Sequence, residues 1–271
     1  MIYSNKDLSQ KLERTEARAS ADFVETRKNM FPESGAQWIE VAGTYAMYEG
    51  AESPLTQTFG LGLFDEITDA EMEKLEDFFK SLNAPVFHEV SPMADASLLE
   101  LLNKRGYQPV ELTSVMYLPL AEKDFSVEPK NENIKVRIIE KGEEKLWAHT
   151  SAKAWSAEDE NLGEFILKFG EVGASSAGAF PFLAEIENAP VATGMLYIYD
   201  DAAILAGAST IPEARRQGAQ TALLNARLRF AFENDCELAI MGASPGSQSQ
   251  RNAEKNGFHI AYTRTKWQLK D

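Results

Sequence analysis

Residues 202–224 read AAILAGASTIPEARRQGAQTALL, and this stretch decides how the rest of the chain is understood. Ala202–Thr210 is almost continuously apolar, as expected of a strand buried on both faces. Pro212 has no N–H and ends the ladder. Arg215, Arg216, Gln217 and Gly218 then turn directly into a helical pattern over 218–234, with Ala219, Ala222, Leu223, Ala226 and Phe230 on one stripe. The first N–H groups of a helix have no internal partner, and its dipole adds about half a positive charge at that end. Gly218 lets a ligand approach the backbone closely. Within this helix the first acidic residue is Glu233, near its far end. These features predict an anion site suited to phosphate or pyrophosphate.

Around this segment the second half alternates strands and helices. Strands are expected at 136–139, 182–186, 191–199, 238–241 and 260–269, and helices at 143–155, 164–169 and 249–256, the last closed by Gly257. The first half repeats the later part of this plan: strand 59–63, helix 69–80, strand 86–90, helix 96–104 closed by Gly106, strand 110–118. From helix start to closing glycine is 38 residues between Thr68 and Gly106, and 39 between Gly218 and Gly257. The endings also correspond, Lys104-Arg105-Gly106-Tyr107 against Lys255-Asn256-Gly257-Phe258. The matched order predicts a duplication. A polar break at 123–133 (KDFSVEPKNEN) places a first domain at 1–125, a linker at 126–134 and a second domain at 135–271. The two equivalent helix starts differ. Thr68-Asp69-Ala70-Glu71 has the pattern of a capping box, and Asp69, Glu71 and Glu73 put acids where a phosphate would sit. Anion binding is therefore expected in the second half alone.

Bulk composition narrows the function. The chain has 271 residues, 44% hydrophobic and 25% charged, with a formal net charge of −15. Such a balance suits a folded domain and opposes nucleic acid or anionic membrane as main partners. The single cysteine, Cys236, reads as a core thiol. His88, His149 and His259 are isolated, with no second ligand at metal spacing, so no metal is expected. The N-terminal segment is charged and lacks an apolar signal core, and no apolar run reaches membrane length, which predicts a cytoplasmic protein. Oligomeric state is not legible.

The strand, Pro-x-x-Arg-x-x-Gly and helix resemble the cofactor-binding motif of the GNAT superfamily of acyl-CoA-dependent N-acetyltransferases. The family pattern Gln/Arg-x-x-Gly-x-Gly/Ala falls on Arg215, Gly218 and Gln220, the last departing from the family's small residue. Ser249-Gln250-Arg251-Asn252-Ala253-Glu254-Lys255-Asn256-Gly257-Phe258 resembles the family's second CoA-side helix. The resemblance implies a tandem GNAT with a degenerate first half: an α/β (α+β) protein of two domains, each with a mixed, mostly antiparallel central sheet flanked by helices. It implies acetyl-CoA, or another acyl-CoA, as co-substrate. Backbone groups at Ala208 and Thr210 would pair with the pantetheine arm. Arg215, Arg216, Gln217, Gly218, Ala219, Gln220 and Thr221 would hold the pyrophosphate, and Ser249 and Asn252 would lie beside the pantetheine. The acyl group would pass to a primary amine of a small-molecule or peptide acceptor by direct attack on the thioester.

Catalytic groups are less defined. Many family members protonate the leaving thiolate from a Tyr four residues before the closing Gly, where this chain has Ala253. Tyr262 on the next strand is the substitute candidate, against a structural role. Glu185 is the candidate base acting through water, against a paired or exposed carboxylate. Trp155, Phe165, Phe169, Phe180 and Phe182 read as core before acceptor pocket. A competing function keeps the phosphate loop without turnover: an acyl-CoA-binding sensor or partner-binding protein. A P-loop enzyme is excluded by the missing Gly-x-x-x-x-Gly-Lys-Ser/Thr.

Overall fold

The structure, a computed structural model, describes residues 3–125, 131–156 and 162–270. In chain order the elements are α1 (Lys6–Met30), β1 (Gln37–Val41), β2 (Thr44–Tyr48), β3 (Gln57–Phe59), α2 (Asp69–Ser81), β4 (Phe87–Val90), α3 (Ser97–Lys104) and β5 (Tyr107–Pro119). They continue with β6 (Ile134–Ile138), α4 (Glu144–Ser156), α5 (Leu162–Ala174), β7 (Ala179–Ile186), β8 (Ala189–Tyr199) and β9 (Ala202–Thr210). The chain ends in α6 (Ala219–Glu233), β10 (Leu238–Ala243), α7 (Gln248–Lys255) and β11 (His259–Leu269). Two compact units result, one of Met1–Tyr117 with Ile240–Asp271, the other of Leu118–Ala239.

In the first unit the strand order is β1-β2-β3-β4-β11-β5. Its pairs are antiparallel except β3 with β4. The last strand of the chain therefore lies between two strands of the first half, with Thr265 opposite both Val90 and Leu112. This corrects the linear division at 126–134. Strand periodicity identifies β11 but does not say which ladder receives it. Of the expected linker, 126–130 falls outside the described residues, and Ile134 already begins β6. Leu75, Phe79, Leu98 and Leu102 form the core of this unit, and Trp267 and Leu269 of β11 pack against it.

The long helix α1 and the β1–β2 hairpin were not expected. On α1, the buried face mixes Leu12, Phe23 and Val24 with Ser9, Glu13, Thr15 and Ser20, so the apolar period is broken. Its N-terminus is set by Asn5, whose side chain accepts from Leu8 N at 2.8 Å. The strand expected at 59–63 stops at Phe59, where the chain turns. At α2 the expected capping box is only half formed. The Thr68 hydroxyl donates to the Glu71 carboxylate instead of accepting a backbone N–H. Asp69 holds Lys104 at 2.9 Å and Arg105 at 3.1 Å, so this helix start is filled by acids and their partners.

The second unit carries the antiparallel order β9-β8-β7-β6. Glu187 and Asn188 join β7 to β8 with φ of +52° and +63°, the left-handed geometry of a tight hairpin. Helix α6 packs against β6–β9, and α4 against β8 and β9. Trp147 is buried and donates its indole N–H to Phe182 O at 2.9 Å. Phe182 is in the core, and the Phe180 and Phe182 rings pack against Phe230. Phe165 is instead exposed, its ring tilted against that of Phe169. The duplicated ending is visible in α3 and α7, eight residues each, followed by Gly106 and Gly257 at φ +85° and +93°.

Candidate functional site

The end of β9 and the start of α6 lie together in the second unit. After Thr210 the chain makes a single tight turn at Pro212–Ala214. Arg216 takes φ +65° and Gly218 φ +97°, and α6 begins at Ala219. No side chain caps this helix, and its first turn carries no acid. The N–H groups of Ala219, Gln220 and Thr221 precede the first intrahelical bond, from Ala222 N to Gly218 O at 3.0 Å. Arg215, Arg216, Gln217, Gly218, Gln220 and Thr221 are exposed, while Ala219 is buried. An uncapped helix start fronted by two arginines, in a chain of charge −15, favours an anion. At φ +97° a side chain on residue 218 would be strained whatever the space around it.

Side chains of the loop are tied back to the protein. Arg215 Nε donates to Thr210 O at 3.3 Å, and its Nη2 to Ala154 O at 3.4 Å. Gln217 Nε2 donates to Glu213 O at 3.1 Å, and Gln220 Nε2 to Thr210 Oγ1 at 2.7 Å. Asn131 Nδ2 donates to Gln217 O at 3.1 Å. Glu213, the one acid in the preceding turn, pairs with Lys153 at 3.4 Å; a hydrogen bond from its own backbone N–H, and then Lys153, hold its pKa below the usual carboxylate value. Arg215 thus braces the loop as well as facing outward, a role the sequence did not suggest.

Upstream, β9 is not buried throughout. Ala202–Leu205 are buried, but Ala206, Gly207 and Ala208 are exposed. The cause is a β-bulge. Thr193 pairs with Ser209 and Met195 with Ala206, so Gly207 and Ala208 stand opposite the single Gly194. Gly207 takes φ +57°. Under the bulge lies Arg227 of α6, 3% exposed, its pKa lowered to about 10 by burial. Its Nη1 donates to Met195 O at 3.0 Å and Ala206 O at 3.4 Å, and its Nε to Leu223 O at 3.3 Å. The sequence reading missed this residue because it placed Ala226 on the buried stripe; Arg227 takes that place. The available signal was the row Ala219, Leu223, Arg227, Ala231 at four-residue spacing.

The two catalytic candidates occupy other settings. Tyr262 is buried in the first unit, where its hydroxyl donates to Glu13 Oε1 at 2.9 Å. Burial, with the Glu13 charge, raises its pKa well above that of a free tyrosine. Its proton is committed, which corrects the expectation of a thiolate-protonating acid. Glu185 on β7 accepts from Arg137 Nη2 at 3.0 Å, and Arg137 also holds Glu143 at 2.5 Å and 2.9 Å. Glu185 is therefore a paired carboxylate, and action as a base would require breaking that pair. Ser249 and Asn252 are exposed on α7, whose N-cap is Ser247, two residues earlier than the expected start. Asn252 Oδ1 accepts from Gln248 Nε2 at 2.7 Å.

Other polar groups belong to the interior. His88 is buried between Thr58 and Tyr107, and desolvation lowers its pKa to about 3. Cys236 is buried. Among the described residues no cluster of His, Cys, Asp and Glu is arranged to hold a metal ion, and no helix is long and apolar enough to cross a membrane.

Residues 141–258 match the acetyltransferase (GNAT) family. Solved structures share the fold over nearly the whole chain. A GCN5-related N-acetyltransferase from Kribbella flavida is 17% identical with a TM-score of 0.65, covering 94% of this chain and 95% of its own. A tandem GNAT protein from the clavulanic acid biosynthesis pathway is 11% identical with a TM-score of 0.60, covering 100% of this chain and 98% of its own. A GCN5-related N-acetyltransferase from Sphaerobacter thermophilus is 13% identical with a TM-score of 0.56, covering 95% and 92%. No curated protein matches the sequence.

Proposed function

We propose that this chain, whose residues 141–258 form a GNAT-family domain within a tandem GNAT fold, transfers an acetyl or similar acyl group from acyl-CoA to an amine. The observation that carries this reading is the uncapped, acid-free start of α6 behind Arg215, Arg216 and Gly218. Its free N–H groups and dipole suit the pyrophosphate of CoA. The exposed residues 206–208 at the bulge, small enough to leave their backbone approachable, suit an extended arm such as pantetheine, which needs amide partners. The helix start of the first half, filled by Asp69, Glu71 and their cations, does not suit a phosphate, so one CoA site per chain is proposed.

The chemistry is aminolysis of a thioester. A neutral amine attacks the carbonyl carbon, the C–S bond breaks, an amide forms, and the proton lost by nitrogen neutralises the CoA thiolate. With Tyr262 committed to Glu13 and Glu185 to Arg137, this reading relies on positioning and backbone polarisation, with solvent carrying the proton. The acceptor is proposed as a small-molecule or peptide amine.

The vacancy at Ala253 and the buried Tyr262 favour one alternative, an acyl-CoA-binding protein without turnover. Thiol release from acetyl-CoA against a panel of amines, peptides and antibiotics separates the two. Acceptor-dependent thiol release supports the transferase; tight CoA binding with no release on any amine supports the sensor.

A further inference from the structure

We propose that Arg227 is a positioning residue that holds the β8–β9 bulge open for the pantetheine arm, an inference that rests on the acyl-CoA reading above. Three features of the second unit converge on it. The guanidinium is buried, and no carboxylate among the described residues pairs with it; burial alone sets its pKa. A charge in that position is costly unless hydrogen bonds compensate it. Those bonds go to Met195 O and Ala206 O, the pair at which the ladder resumes after the bulge. Gly194, the single residue opposite Gly207 and Ala208, provides the space. A Cβ there would stand 2.8 Å from Arg227 Cζ and 3.0 Å from Nε. A single nitrogen, Nη1, donates to both carbonyls while Nε donates to Leu223 O, so the guanidinium ties the two strands to α6 through donors held in one rigid plane.

The consequence is a division of labour along α6. Its N-terminus offers N–H groups for a pyrophosphate, while Arg227, two turns further on, fixes the bulge. Held at the carbonyls of the pair that flanks the bulge, the two strands keep the register shift between Thr193 and Met195, and residues 206–208 stay exposed. Losing the guanidinium would let this segment relax without altering the helix start.

The full chain carries the test. Arg227→Met removes the fork at similar volume. Gly194→Ala keeps the arginine but pushes it off its carbonyls. In ligand-free protein, the backbone amide resonances of Gly207 and Ala208 are expected to move in both variants, while those of Ala219–Thr221 stay in place. Acetyl-CoA binding is expected to weaken about 10-fold, whereas ADP, which has the pyrophosphate but no pantetheine, binds within about twofold of wild type. Arg227→Lys should fall between wild type and Arg227→Met. If Arg227→Met does not fold, Gly194→Ala carries the same comparison. Unmoved Gly207 and Ala208 amides, or equal losses for ADP and acetyl-CoA, would overturn the role of Arg227. Wild-type protein binding neither ligand would overturn the acyl-CoA reading instead, and the amide comparison would still decide what Arg227 does.

Discussion

Gln220 Nε2 lies 2.7 Å from Thr210 Oγ1, tying the first turn of α6 to the end of β9. The GNAT motif has a small residue at this place. The contact occupies a hydroxyl and a side-chain amide beside the exposed N–H groups, so a phosphate arriving there must compete with it. Gln220→Ala is expected to tighten acetyl-CoA binding by about 2- to 10-fold, the range that a net hydrogen bond of roughly 0.5–1.5 kcal/mol allows. Calorimetric titration checks this. Weaker binding in the variant would make Gln220 a phosphate donor, not a competitor.

Tyr262→Phe is expected to leave kcat nearly unchanged and to lower stability by about 1–3 kcal/mol, because buried Glu13 loses a donor. The pair of measurements is turnover and a thermal melt. A fall in kcat on the order of 100-fold, with an unchanged melt, would restore Tyr262 as the general acid.

Glu13 gives a pH dependence of opposite sign to an ordinary ion pair. Glu13, Glu16 and Glu89 surround the buried Arg264, and Lys266 bridges Glu89 and Glu111. Burial raises the Glu13 pKa from 4.5 to about 7, despite Arg264. Between those values the folded chain binds more protons than the unfolded one, so this carboxyl makes stability fall as pH rises from about 4.5 to about 7. Glu76 and Glu143, both lowered to about 2, act below that window, where stability is lost as pH falls. Melts at pH 5 and pH 8 should show the Tm difference move in favour of pH 8 in Glu13→Gln, by about 3 °C or more. An identical difference in wild type and variant would mean that Glu13 is ionised throughout.

The second unit was legible because its signals are local. Ala202–Thr210 was bounded correctly, and α6 differs from its expected range only in assigning Gly218 and Asn234 to the caps. Gly218 announced the helix start, and the absence of acid up to Glu233 matches the acid-free, uncapped first turn on which the proposed anion site rests. What the sequence hid depends on partners distant in the chain. The insertion of β11 between β4 and β5 leaves no periodic trace. Helix α1 was not read from the sequence because its buried face carries Glu13, whose partner Arg264 lies 251 residues away. The bulge was masked because Ala206, Gly207 and Ala208 are as small and apolar as a buried strand requires. Arg227 was passed over because a charge on a helix is usually a surface residue.

Arg215→Ala is expected to raise the acetyl-CoA Kd by about 10- to 100-fold, the loss of a charge-assisted bond to pyrophosphate. Because Arg215 also holds the Thr210 and Ala154 carbonyls, a small drop in Tm should accompany it. Glu71→Ala, at the corresponding helix start of the first half, is the control and should leave CoA affinity unchanged. Equal losses in the two variants would remove the distinction between the halves.

The claim on which the rest depends is that the start of α6 anchors acyl-CoA by its pyrophosphate. Gly218 is at φ +97°, and an aspartate there would add strain and a negative charge beside the free N–H groups. Thermal shift with acetyl-CoA, ADP and adenosine, on wild type and Gly218→Asp, tests the claim most directly, since a ligand that binds only the native state raises Tm by mass action. In wild type, acetyl-CoA should give the largest rise, ADP a smaller one and adenosine almost none. In Gly218→Asp, folded by its own melt, all three rises should vanish. Wild-type shifts in folded Gly218→Asp, or adenosine matching ADP, would contradict the account.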